Sequence, residues 1–462
     1  MKYSLAFTKD HHQELFEHLF PGDGKEAVAI LLCGRRKGAE AHRFSVLEIH
    51  KVPYSTCRVR RPDYVEWPTK FIVPLMEKAQ KKGLAIFKIH SHPTGFVSFS
   101  RQDDISDSAL FPSIYAYMDT EHPHGSASMM PDGQIIARVF LPHGGISPVN
   151  IVSVTGDDIL LWPSGLESLG EIPEFAHRHA QAFGHGTFQK LRPLQIAVIG
   201  ASGTGSIVIE QLARLGVGHL VIVDPDRIER RNLNRILNAR ERDIGRSKVE
   251  VLAEAVAQMG TETKVTAIAG DLWNRAVAEK VAECDVLFGC MDSMSGRSLL
   301  NRIATFYLQP YIDVGIRLDA DGKGGVNQIC GSVHYLQPGK SSLRTRGVIT
   351  DERVRAELMM KFEPEQYESL LDEGYIHGVA VDRPAVLPVN MHYSALAVME
   401  FLARIHGFRD EPNAEFAWIS TSLTGNFSIN KPEMGADLAL QKYVSRGDCI
   451  PFLDMPYMSA AN

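Results

Sequence analysis

The sequence predicts an α/β protein in two parts: a mixed α/β domain over residues 1–165, then a Rossmann-like domain with a mainly parallel sheet over 166–455. Three observations predict this. QIAVIG, a glycine loop, SIVIEQLARLG and HLVIVD read as strand, loop, helix and strand, the succession of a parallel sheet with helices on its faces. The earlier region has a different texture: short apolar runs (Val28 to Leu32, Leu84 to Ile89, Gln134 to Phe140) lie between turn clusters, with one helix in PTKFIVPLMEKAQKKG. Finally, 462 residues with 44% hydrophobic content exceed one small module and are too apolar for disorder. The seam is expected near 165 to 175, where WPSGLESLGEIPEF gathers Pro, Gly and Ser. Toward the C-terminus, Ala395, Leu396, Val398, Met399, Leu402 and Ile405 recur near helical spacing, so this helix is expected to pack on the sheet or on a second subunit.

Composition removes several function classes. Lys and Arg number 49 against 55 Asp and Glu, a net charge of −6, so no global electrostatic support exists for a nucleic-acid partner. Ala27 to Cys33, among the longest apolar runs, is far too short to span a bilayer, and polar residues interrupt the N-terminus. A soluble, cytoplasmic protein without a membrane partner is expected. The six cysteines form no CxxC pair, so any metal site must use His and carboxylates.

Such a site is readable in FKIHSHPTGFVSFSRQDD. His90 and His92 end an apolar run, and residues i and i+2 of a strand share a face, so both imidazoles can converge on one ion. Asp103, eleven residues beyond His92, can act as third ligand, leaving zinc's fourth position open as catalytic sites do. Glu26, heading the run EAVAILLCG, is the candidate general base on a neighbouring strand, with Glu40 and Glu48 as competitors. Ser100 can hydrogen-bond a developing oxyanion, and Ser100 with Asp103 also forms the S-x-x-D pattern of a helix cap.

The second region carries a nucleotide pattern. Gly200, Gly203 and Gly205 follow a strand and open a helix, whose backbone amides can receive a phosphate. In a nicotinamide fingerprint the middle glycine would stand at Ser202, which weakens a dehydrogenase reading. Asp224 ends the second strand 24 residues after Gly200, where a carboxylate meets ribose hydroxyls. Asn232 and Arg235 in NLNR, and Lys248 in GRSK, bring more cations than a pyrophosphate diester needs, which points to a nucleoside triphosphate. Asp292, after VLFGC, is placed to hold Mg2+.

Both constellations resemble known families. His90-Ser91-His92-Pro93 through Ser100 and Asp103, with Glu26 upstream, resembles the JAMM motif of MPN-type (JAB) zinc metalloproteases over about the first 150 residues. That resemblance implies cleavage of peptide or isopeptide bonds after ubiquitin-like modifiers. It makes His90, His92 and Asp103 the zinc ligands, Glu26 the proton shuttle, and Ser100 the group steadying the tetrahedral intermediate. GASGTGS and DPDRIERRNLNR resemble the ThiF/MoeB/HesA family, the adenylating core shared with ubiquitin-activating enzymes. This second resemblance implies ATP as co-substrate, with Asp224 on ribose, Asn232, Arg235 and Lys248 on phosphates, and Asp292 on magnesium. It also implies an arginine finger at Arg178 across a homodimer interface. The partner implied is a ubiquitin-like or sulfur-carrier protein ending in glycine, with a conjugating enzyme as a further candidate.

Relatives carrying a cysteine after a PG turn have here PGKSSLRTRG, with Ser341 and Ser342. Adenylation without a covalent step, an oxyester on either serine, or a thioester on Cys449 or Cys330 are the readings that follow. Of the two thiols, Cys330 is expected to be strand-buried and inert, and Cys449 to sit in a polar loop. The function expected is zinc-dependent processing or removal of a modifier joined to its ATP-dependent adenylation. Sulfur-carrier activation for thiocarboxylate formation is the alternative, ahead of a nicotinamide oxidoreductase and a non-catalytic scaffold.

Overall fold

A computed structural model describes residues 1–165, 172–184, 186–372 and 385–458. The chain divides into two compact units: Met1–Gly170 with Phe306–Leu308 and Tyr443–Ile450, and Glu171–Thr305 with Gln309–Lys442 and Pro451–Asn462. Much of the expected seam, residues 166–171, lies outside the described residues.

The first unit is built on a mixed nine-stranded sheet. Its spatial order is Ile159–Pro163, Ile151–Thr155, Lys2–Thr8, Ala41–Lys51, Val28–Lys37, Ala85–Ser91, His124–Met129, Ile135–Phe140 and Ile146–Pro148. Both faces are covered, which explains the unbroken apolar run around Val28: a strand buried on both sides needs no polar alternation. Ala29, Leu31 and Cys33 meet the helix Lys9–Leu19 side, while Ile30 and Leu32 pack under the helices Val73–Lys82 and Arg101–Met118.

Burial of an imidazole in this sheet predicts acid sensitivity for the unit. His42 is 4% exposed, stacks on Phe44 at 4.5 Å, and its Nε2 has no hydrogen-bond partner among the described residues. Burial, aided by the Arg35 guanidinium, pushes its pKa down to about 2. The unfolded chain therefore binds a proton near pH 6.5 that the folded unit refuses, so stability present above pH 6.5 is lost as pH falls toward 2. His42→Phe should lose about 1 kcal/mol less stability than the native chain between pH 6 and pH 5, read from thermal midpoints at both pH values. Equal losses would show that His42 does not contribute to the acid sensitivity.

The second unit holds an eight-stranded sheet ordered Lys264–Ile268, His219–Val223, Gln195–Ile199, Val286–Gly289, Tyr311–Ala320, Val326–Leu336, Trp418–Ser422 and Phe427–Lys431. The first five run parallel and the remaining pairings are antiparallel. Chain order reverses between Gln195–Ile199 and Val286–Gly289, and in doubly wound sheets the crevice at such a switch point is where ligands bind.

The C-terminal helix Leu387–His406 packs against the helix Gly203–Arg214 and the strands Tyr311–Ala320 and Val326–Leu336. Its inward face corrects the expectation in part. Val398, Leu402 and Ile405 are buried, but Ala395 and Met399 face solvent, and Tyr393, Ser394, Ala397 and Phe401 take the inner positions. The small Ser394 and Ala397 permit close approach, and the Ser394 hydroxyl donates to the Thr204 carbonyl at 3.0 Å. No helix of the described residues is long and apolar enough to cross a membrane.

Candidate metal and nucleotide sites

In the first unit, His90 lies next to the end of the strand Ala85–Ser91, opposite Val28, and Glu26 lies just before the neighbouring strand Val28–Lys37. The His92 amide still donates to the Met129 carbonyl at 2.8 Å, which extends the strand geometry and keeps both imidazoles on one side. Asp103 arrives from the first turn of the helix Arg101–Met118. Ser100 caps that helix, and both hydrogen bonds of the capping box are made. The same Asp103 carboxylate that accepts the Ser100 amide and hydroxyl at 2.7 Å lies 2.8 Å from His90 Nε2 and 3.4 Å from His92 Nε2. One aspartate thus both closes the helix cap and faces the two histidines.

The donor chemistry fits a cation. His92 Nδ1 lies 2.7 Å from the Phe96 carbonyl, which can only accept; Nδ1 must carry the proton, and the Nε2 lone pair points into the site. That lone pair faces His90 Nε2 at 3.0 Å and a carboxylate oxygen. Three acceptor atoms gathered in a buried pocket repel one another unless a proton or a metal ion lies among them. Glu26, His90 and His92 also offer donor atoms within 4.8 Å of one another.

Electrostatics separate the two carboxylates. Burial pushes Glu26 up to about 8, with Asp103 and Asp63 adding to the rise and His92 opposing it. Burial acts the same way on Asp103, but the adjoining His90 and His92 rings and the hydrogen bonds from Ser100 prevail and hold it far below the usual carboxylate range. The same desolvation thus acts on both carboxyls, and only Asp103 has partners that outweigh it. The competing glutamates lie elsewhere: Glu40 is exposed, and Glu48 pairs with Lys78 and His50. Sequence reasoning missed Ser128, whose hydroxyl stands 3.3 Å from His90 Nε2, because a serine inside a strand carries no local signal.

In the second unit, the switch point opens into a cavity of about 660 Å³, within the size range of small-molecule sites. Gly200, Asp224, Asn232, Arg235, Lys248 and Asp292 all line it. Gly200 turns the chain at φ +95, where a Cβ would also stand 2.5 Å from the Cys290 carbonyl. At Gly205 a Cβ would collide with the Gly200 carbonyl, so only glycine lets the helix Gly203–Arg214 begin this close to the strand. Gly203 lines a smaller adjoining cavity of about 160 Å³ that shares Ser202, Arg235 and Asp292 with the first.

The polar groups are arranged unequally. Asp224 accepts from the Ala201 amide at 2.7 Å and the Asp226 amide at 2.9 Å, fixing the loops after two strands to each other. Lys248 is buried, with its ammonium 2.7 Å from Asp226 and 3.4 Å from Asp224. The Asn232 side chain accepts the Glu229 amide at 3.1 Å, so it shapes the cavity wall. Arg235 is half-buried, and Asp292 is exposed at the cavity mouth. Arg178 lies on the surface of the short helix His177–Phe183, with Gln181 3.4 Å away, and is not among the residues lining this cavity.

Sequence reasoning also missed Asp226, Trp273, and the helix Asp351–Phe362, whose Arg353, Glu357 and Lys361 form a wall of the cavity. Asp226 sits two residues past Asp224 at the same strand end and was findable by that rule. The helix was not, since it is brought in from 150 residues away only by folding.

The candidate nucleophiles are also placed. Ser341 and Ser342 are buried in a turn; the Ser341 hydroxyl donates to Glu433, and that of Ser342 to Asp437 at 2.5 Å. Arg346 donates to the Ser341 oxygen at 2.8 Å and the Thr345 amide to the Ser342 oxygen at 3.2 Å. Both hydroxyls tie the turn together. Cys330 lies on its expected strand but is half-buried and not enclosed. Cys449 is half-buried in the segment Tyr443–Ile450 of the first unit. Cys290 lines the nucleotide cavity, but burial and Asp313 push its thiol up to about 12, far from a thiolate.

Comparison with known proteins agrees with this two-part reading. The ThiF family matches residues 176–437, and the family described as prokaryotic homologs of the JAB domain matches residues 8–130. SUMO-activating enzyme subunit 2 of Dictyostelium discoideum is 32% identical over 136 residues, 29% of this chain and 21% of that protein. The sulfur carrier protein ThiS adenylyltransferase of Escherichia coli K12 is 33% identical over 124 residues, 27% of this chain and 49% of that one. Thus the chain spans half or less of the length of these curated relatives. Among solved structures, the microcin C7 biosynthetic enzyme MccB with N-formylated MccA aligns over 89% of this chain and 98% of that one, at 16% identity and a TM-score of 0.45. The chain belongs to the ThiF family and carries a JAB domain ahead of its ThiF domain.

Proposed function

We propose that the chain joins two activities on one kind of partner: a zinc peptidase that processes or removes a ubiquitin-like protein, and an ATP-dependent adenylyltransferase for that protein's C-terminal glycine. The seam between the two is taken at 165/166. The peptidase reading is carried by His90 Nε2, His92 Nε2 and the Asp103 carboxylate meeting in one buried pocket, with a second buried carboxyl, Glu26, beside the two histidines. Zinc held by those three side chains would supply Lewis acidity at the scissile carbonyl. Glu26 would take a proton from the attacking water and pass it to the leaving amine. Ser100 spends its hydroxyl on Asp103, so its support of an oxyanion would act through that carboxylate's placement.

In the second unit, a carboxylate oxygen of the modifier would attack the α-phosphorus of ATP. The bond to the β-phosphate oxygen breaks and pyrophosphate leaves, giving an acyl adenylate. Gly200 to Gly205 would present amides to the phosphates, Arg235 and Lys248 would offset their charge, and Asp292 would hold Mg2+. Asp224 would meet the ribose, and Arg178 would reach a neighbouring subunit's site if the chain pairs through this domain.

The buried, tied hydroxyls of Ser341 and Ser342 favour a second reading, in which the adenylate leaves for a sulfur donor without forming an ester on this turn. One experiment addresses both: small proteins ending in glycine, supplied one at a time, should stimulate ATP–pyrophosphate exchange by at least tenfold when cognate. Adding a sulfur donor then separates the readings, because a thiocarboxylate product supports sulfur transfer, whereas an isopeptide-linked product supports conjugation. No stimulation by any such protein would sink the adenylation reading.

A further inference from the structure

Behind the metal site lies a buried charge network that the reading above does not use. Lys88, 4% exposed, stands two residues before His90 on the same strand and therefore on the same sheet face. Asp107, 0% exposed, stands one helical turn after Asp103. Two strand residues advance about 6.6 Å and four helix residues about 6 Å, so the two elements carry matching rungs. One rung is His90 with Asp103, at 2.8 Å; the other is the ion pair of Lys88 with Asp107.

Two further strands converge on the second rung. Lys88 is in register with Ser126, and Ser126 with Arg138, just as His90 is in register with Ser128. The other Asp107 oxygen accepts from the Ser126 hydroxyl at 2.6 Å and from Arg138 at 2.7 Å. Arg138 also donates to Ser126 at 3.1 Å, pairs with Asp104 at 2.5 Å, and lies over the Phe99 ring at 4.0 Å, so it grips the first turn of the Asp103 helix from both sides.

We infer that Lys88, Asp107 and Arg138 are positioning residues for the metal centre: they lock the helix Arg101–Met118 onto three strands so that Asp103 meets His90 and His92. A buried ion pair is a poor source of stability, since well-packed apolar residues of like volume often replace it without loss. It is a good source of register, because an ion pair with fixed partners tolerates less sliding than an apolar contact. The inference rests on the zinc reading of His90, His92 and Asp103.

The test uses the full-length chain and zinc alone, with affinity measured by competition against a chromogenic chelator and apo-protein thermal midpoints as the control. Lys88→Met combined with Asp107→Leu removes both charges together. This variant should bind zinc about 10- to 100-fold more weakly, with its apo midpoint within a few degrees of the native chain. Lys88→Arg, which keeps the ion pair, should retain native affinity. Ser126→Ala, which removes one hydrogen bond to Asp107, should lose several-fold and serves if the double variant does not fold. Native affinity in the double variant, or in Ser126→Ala where the double variant does not fold, overturns the inference. A native chain that binds no zinc overturns the zinc reading, and the inference with it.

Discussion

Glu26→Gln should lower peptide or isopeptide cleavage by roughly 10²- to 10⁴-fold, the usual contribution of a general base. Zinc affinity should stay within about threefold, because Glu26 is neither one of the three proposed ligands nor among the hydrogen-bond partners described for them. The substitution preserves shape and hydrogen-bonding capacity and removes only the exchangeable proton. Burial pushes the Glu26 carboxyl up to about 8, whereas the partners of Asp103 hold that carboxyl low, so the two differ in how readily they take a proton. Cleavage of a modifier fusion and zinc affinity, measured on one preparation, decide the matter. Retained cleavage would remove Glu26 from the chemistry, and lost zinc would make it a ligand. ATP–pyrophosphate exchange should not change, since every residue assigned to the nucleotide lies in the other compact unit.

Asp292→Ala should give the reverse pattern: exchange falling by roughly 10²- to 10³-fold, with cleavage unchanged. The carboxylate stands beyond the strand Val286–Gly289, at the reversal of chain order, and borders both cavities of the second unit. It is exposed, so its removal leaves no cavity and costs little stability, within about 0.5 kcal/mol. A loss of exchange can then be read as lost magnesium and phosphate handling. Initial rates of pyrophosphate exchange against magnesium concentration make the comparison sharper: partial recovery at high magnesium is expected if Asp292 holds the ion. Undiminished exchange would move the metal role to another carboxylate of the cavity, with Asp226 and Asp271 next in line.

The expected site residues that the fold brings together share a local origin. His90 lies on a strand and His92 just past its end, and Ser100 and Asp103 lie in one helix cap, so spacing alone brings each pair together. Gly200 to Gly205 and Asp224 follow the same rule, because strand ends and helix starts are written in the adjacent residues. Glu26 was reachable only through its apolar context, since its approach to the histidines depends on Val28 pairing with His90 across the sheet. Lys88 and Arg138 were not legible at all: a cation inside a strand reads as solvent-facing until a buried partner such as Asp107 is seen.

The serines show the same divide. From sequence, Ser341 and Ser342 were two hydroxyls in a turn and candidate nucleophiles; the fold brings Glu433 and Asp437, more than 90 residues away, onto them and makes them structural ties. What the sequence by itself determined was the order of domains and the fold class, because periodicity, glycine placement and short motif spacings act over a few residues. The tertiary structure alone decided how each carboxyl is desolvated, which hydroxyls are committed and which buried charges meet. Those properties depend on desolvation and on partners far away along the chain, and neither is written in local spacing.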